Sequence, residues 1–142
     1  MTSTRPKPTD RFRDPLADPV YDAKRIRLAA LMGFMGVAHF VVPGPFRKVV
    51  PKWFPWPREA VAVSGVAEVA SAVLLANPRS KRVGGWLAAG TLVAVYPANV
   101  QMAIDAIRVP SGPKRYTAVA LAWLRLPLQL PMISTALRAA RG

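Results

Sequence analysis

The stretch YTAVALAWLRLPLQLPMISTAL, Tyr116 to Leu137, is apolar and uncharged apart from Arg125 near its middle. About 20 predominantly apolar residues suffice for a helix to cross a bilayer, and this stretch has that length. A guanidinium at mid-depth costs at least about 2.5–3.5 kcal/mol on insertion scales. Arg125 therefore calls for a partner or a polar cavity. A second charge, Glu68, stands alone in another apolar stretch, Ala60 to Asn77.

Two further blocks share this character: Leu28 to Phe46 and Val83 to Ile104. Runs such as Val83–Val95 and Tyr116–Leu124 lack the broad polar face that a helix in water requires. The expected fold is all-α, a polytopic membrane protein built as a bundle of four transmembrane helices. The spans are expected at about 27–43, 59–77, 82–104 and 116–138, forming a membrane domain over 25–142. Residues 1–24 are polar and carry Pro6, Pro8, Pro15 and Pro19, the composition of a flexible tail rather than a signal peptide.

Lysine and arginine set the expected orientation. Four spans put the tail, the 77–82 loop and the C-terminus on one side, with Arg25, Arg27, Arg79, Lys81, Arg82, Arg138 and Arg141 among their charges. The other side holds the smaller set: Arg47, Lys48, Lys52, Arg58, Arg108, Lys114 and Arg115. The positive-inside rule then places both termini in the cytoplasm. The net charge of +13 is thus read as membrane-flanking charge, not as a nucleic-acid footprint. The partner it implies is the lipid bilayer.

Other chemistries are excluded by what the chain lacks. It has no cysteine and a single histidine, so thiol redox chemistry, Cys-ligated metals and bis-histidine haem ligation are ruled out. No phosphate-binding glycine loop and no Ser-His-Asp context occurs, so an enzyme acting alone is disfavoured and no metal is expected.

The segment PGPFRKVVPKWFPWP, Pro43 to Pro57, is too rich in proline for one continuous helix. Phe46, Trp53, Phe54 and Trp56 alternate with Arg47, Lys48 and Lys52, a mixture suited to the headgroup boundary. The expectation is an interfacial aromatic loop after the first helix, anchoring the protein or covering a cavity.

Depth counting links the polar residues. Glu68 follows Arg58 by as many residues as Arg125 follows Arg115, so at about 1.5 Å per residue both lie roughly 15 Å below one surface. Equal depth and opposite charge suggest an ion pair, serving either to fix helix register or as part of a site. Ser64 and Gln129 lie one turn from Glu68 and Arg125. His39 and Asn99 lie nearer the same surface. Together these six residues define an expected polar pocket between the helices. In the simplest alternative, Asn99 satisfies the carbonyl freed by Pro97, and Gln129 does the same near Pro131.

The run HFVVPGPFRKVVPKWFPWP, then SGVAE, PAN and RLPLQ, resembles the DoxX-like family of small four-helix bacterial membrane proteins over about residues 27–137. The resemblance implicates His39, Pro43, Pro51, Pro55, Ser64, Gly65, Glu68, Pro97, Asn99, Arg125, Pro127 and Gln129. It implies the bacterial inner membrane and a link to quinone-dependent redox systems. Three functional expectations follow. The leading one is a non-catalytic accessory subunit docking larger membrane partners or further copies of itself. The second is a component that binds quinone or lipid, with quinone as its cofactor. The third is a small proton-linked transporter.

Overall fold

The computed structural model describes residues 19–108 and 112–142. Most of the expected tail, residues 1–18, lies outside the described residues. Among those described there are five helices and no strand: α1 Pro19–Val41, α2 Pro43–Val49, α3 Pro57–Ala76, α4 Lys81–Ile107 and α5 Pro113–Arg141.

Helix α1 starts well before the first apolar residue of its block, and the reason is tertiary. Tyr21 is 2% exposed and lies beneath the guanidinium of Arg138, 4.7 Å from its ring centre. Arg25 is equally buried. Its guanidinium donates to the carbonyls of Leu75 and Ala76 at the end of α3, and it meets Asp22 at 3.2 Å. Carbonyls in the last turn of a helix lack partners within the helix, and a cation there also complements the dipole. Residues 19–24, assigned to the tail by polarity, are helical because these contacts hold them.

The proline-rich segment also departs from a plain loop. It contains α2, which turns 99° from α1. Pro43 opens α2 and Pro45 lies in its first turn, where a missing N–H breaks no intrahelical bond. Pro97, Pro127 and Pro131 all lie inside helices that continue past them.

Two helices, α3 and α4, are long and apolar enough to cross a membrane, or three if the bent pair α1 and α2 is one span. Only 33% of the apolar window in α3 and 28% of that in α4 is buried, so most of it faces outward. Phe34, Val63, Val73, Trp86, Val93, Leu121 and Leu130 are all exposed. An apolar exterior of this extent marks a surface made for something other than water. Helix α5 falls short because Arg125, Gln129 and its two inner prolines lower its hydropathy.

Helix α1 packs on α3, α3 on α4, and α4 on α5. Close backbone approach makes this possible. A Cβ on Gly36 of α1 would lie 2.8 Å from the Gly65 carbonyl oxygen of α3, and one on Gly85 of α4 would collide with the α5 backbone at Ala136 and Ala140. At the end holding the described termini all four long helices close around Tyr21, Met32, Leu75, Ala88, Leu92 and Ala136. Toward the other end a smaller core joins only α4 and α5, through Ala103, Ala106 and Ala122. There the α1–α3 pair and α4, with Arg125 of α5, border a half-open cavity.

Candidate functional site: a cavity between the helix pairs

The cavity has a volume of about 1200 Å³. Helices α1, α2, α3 and α4 and the α2–α3 connection supply its wall, and α5 contributes Arg125. Its lining is mainly apolar and aromatic, with Phe46, Trp53, Phe54, Trp56 and Trp86. The polar members are His39, Glu59, Ser64, Glu68, Thr91, Asn99 and Arg125.

Helical spacing explains the placement. On α3, Ala60, Ser64, Ala67 and Glu68 recur at three- and four-residue intervals along one face. On α4 the same spacing brings Leu87, Thr91, Ala94, Ala98 and Met102 to the wall. The bend between α1 and α2 carries Phe46 back over His39, where the rings stack with centres 3.9 Å apart at 24°. Phe54 meets Trp53 and Trp56 edge-on at 6.0 and 6.3 Å. Trp53 and Trp56 also remain 75% and 62% exposed, so they border both the cavity and the surroundings.

The polar residues divide into those engaged with the fold and those facing the cavity with capacity to spare. Ser64 Oγ donates to the Val61 carbonyl at 3.1 Å, and Thr91 Oγ1 to the Leu87 carbonyl at 2.8 Å. Gln129 does not line the cavity. It stands behind Asn99, which donates from Nδ2 to Gln129 Oε1 at 2.7 Å, while Gln129 Nε2 donates to the Leu92 carbonyl near the Pro97 break. Gln129, from the neighbouring helix, thus bonds the carbonyl of Leu92, whereas the carbonyl that Pro97's missing N–H frees is that of Val93, four residues before it.

The expected Glu68–Arg125 ion pair does not form. Among the described residues the partner of Glu68 is His39, with Nδ1 3.3 Å from Glu68 Oε2. The same Nδ1 is 2.7 Å from the Met35 carbonyl oxygen. The reason lies in helix order. Arg125 belongs to α5, which packs against α4, whereas α3 packs directly against α1, which carries His39. Equal depth puts two residues at one level without making them neighbours. Arg125 instead lines the cavity, as Glu68 does.

Five of the six expected pocket residues thus line one cavity, and the sixth supports one of them. Sequence reasoning missed Met35, Glu59, Trp86, Thr91 and Met102 on the wall. Trp86 reads as an interfacial anchor at a helix start, and Thr91 is lost in an apolar run. Arg25 was read only as a flanking charge, because nothing local shows that it reaches the end of α3. Among the described residues no three His, Asp or Glu side chains form a metal-binding group.

A family described as "Domain of unknown function (DUF8561)" matches residues 28–140. The chain belongs to that family. The match takes in every residue of the cavity wall, from Met35 to Arg125. It corrects the DoxX-like resemblance: the family that matches is a different one, and the quinone link and the bacterial inner membrane implied by the resemblance lose that support. The quoted motifs are short apolar runs punctuated by proline, a texture that membrane helices of separate families share. No curated protein and no solved structure matches the chain.

Proposed function

We propose that the chain is an integral membrane protein that crosses the bilayer four times, through α1, α3, α4 and α5, and holds a lipid-like amphiphile in its cavity. The observation that carries this reading is the wall itself: a large apolar and aromatic surface with a few convergent polar groups. That is the usual composition of a small-molecule site, and about 1200 Å³ exceeds the roughly 300–1,000 Å³ of drug-sized pockets.

The four-span topology draws support from the apolar exterior and from the antiparallel order of the long helices. Arg125 lowers the hydropathy of α5 and is exposed, but it lines the cavity, where a polar group of a ligand can meet its charge. The excess of lysine and arginine at the end holding the termini favours a cytoplasmic placement of that end. A role as a non-catalytic subunit of a larger assembly is compatible with ligand holding, but the cavity favours the ligand.

Gly90 provides the test. It lines the cavity, and a Cβ built on it meets nothing within 4 Å. Gly90→Phe is expected to fill the space without disturbing helix packing. The wild-type protein, released from membranes in mild detergent, should retain bound lipid in native mass spectra. The variant should lose that lipid while keeping its thermal midpoint. Equal lipid retention in a normally folded Gly90→Phe protein would refute the reading.

A further inference from the structure

Resting on the reading of the cavity as an amphiphile site, we propose that its ligand is a membrane lipid with a zwitterionic headgroup, a primary ammonium facing Glu68 and a phosphate facing Arg125.

The cavity wall has unmet bonding capacity. Glu68 is 8% exposed and lines the cavity, and its Oε2 accepts no hydrogen bond from the described protein. His39 Nδ1 can supply at most one hydrogen, and the Met35 carbonyl at 2.7 Å lies nearer to it than Oε2 at 3.3 Å. A buried carboxylate oxygen without a donor is costly, so this position asks for an N–H or O–H from inside the cavity. Arg125 presents the opposite demand. Its guanidinium carries several donors, yet among the described residues no carboxylate lies within ion-pairing distance.

The two charges therefore line one cavity from different helices, α3 and α5, without meeting in an ion pair. A complementary ligand carries a cationic donor and an anionic acceptor a few bonds apart. A phosphoethanolamine headgroup has this pattern. Guanidinium suits phosphate because its planar fork bonds two oxygens at once. The ammonium is further favoured by the aromatic faces of Phe46, Trp53, Phe54 and Trp56 around the same space. Glu59, in the first turn of α3, adds a second carboxylate to the wall and no second cation. A choline headgroup has the charge but no N–H for Glu68, and a glycerol headgroup has hydroxyls but no cation. The acyl chains are accommodated by the apolar remainder of the wall, Leu87, Ala94, Val95 and Met102 among it.

The experiment uses the full chain, delipidated in mild detergent and titrated by native mass spectrometry. The probes are phosphatidylethanolamine, phosphatidylcholine and phosphatidylglycerol with identical chains, and the chain-free headgroup glycerophosphoethanolamine. A hydrogen bond to a charged group is among the stronger ones, so the ethanolamine lipid should bind at least about tenfold more tightly than the other two. Glu68→Gln should abolish that preference while leaving phosphatidylglycerol binding undiminished. Arg125→Gln should weaken all three lipids, and its exposed position makes it a tolerable change. The chain-free headgroup should bind far more weakly than the lipid. Lipid binding without headgroup preference, or a preference that survives Glu68→Gln in a folded protein, overturns the zwitterion assignment alone. Equal binding of the chain-free headgroup overturns the membrane source of the ligand. Failure of every lipid to bind overturns the amphiphile reading beneath it.

Discussion

At the scale of single residues, position along a helix and position around the bundle carry separate information. Counting residues suggests one level for Glu68 and Arg125, yet His39 is the side chain that reaches Glu68. Arg25 shows the same gap from the other direction. By sequence it is one basic residue among several before an apolar block. In the fold it is buried and bonded to two α3 carbonyls. Arg25→Met should therefore destabilise the protein by about 1–3 kcal/mol, the cost of leaving buried polar groups unsatisfied. Arg27→Met, an exposed neighbour, should leave the midpoint of detergent-phase denaturation nearly unchanged. Equal effects of the two substitutions would remove Arg25 from its structural role.

At the scale of elements, close packing and proline breaks organise the bundle. Gly85 lets α4 approach the α5 backbone so closely that even a methyl group meets main-chain atoms. Small residues at such crossings are the usual means by which membrane helices approach. Gly85→Leu should separate α4 from α5, lowering the thermal midpoint and the folded yield, whereas Gly44→Ala, with open space around it, should not. Unchanged stability of Gly85→Leu would mean that the crossing is looser than described. Gln129 ties α5 to α4 through Asn99 and the Leu92 carbonyl. Interhelical bonds of this kind average about 0.6 kcal/mol in membranes, with a maximum near 1.7. Gln129→Leu should cost about that much in a denaturation measurement, more than the surface change Leu130→Ala. Helices α4 and α5 continue past Pro97, Pro127 and Pro131. The helical turn of α2 was not expected, because prolines that would interrupt a helix interior are tolerated at a helix start.

At the scale of the whole molecule, the proposed four-span topology predicts sidedness. The chain has no cysteine, so a single introduced cysteine is a unique reporter. Arg79→Cys, in the turn between α3 and α4, should react with a membrane-impermeant maleimide only after the cytoplasmic face is opened. Lys52→Cys, in the α2–α3 connection, should react on intact cells. Labelling of both positions from one side would rule out the antiparallel four-span topology. The same scale explains the cavity. Four helices closed at one end and joined only in pairs toward the other leave space between the pairs. Residues from α1 to α5 border that space although no sequence motif groups them.

Helix content, apolar exterior and the identity of most polar wall residues were legible in the sequence. They depend on composition and on a 3.6-residue period, both local properties. His39, Ser64, Glu68, Asn99 and Arg125 were found for the same reason: polar groups stand out in long apolar runs. The tertiary structure alone decided which of them meet, because helix order around the bundle is set by backbone approach at Gly36, Gly85 and their opposing surfaces. It also decided that α1 begins at Pro19, since the contacts holding Tyr21 and Arg25 come from residues far along the chain. Arg125 was known from sequence to need a partner or a cavity. Its distance from Glu68 around the helix order left it the cavity.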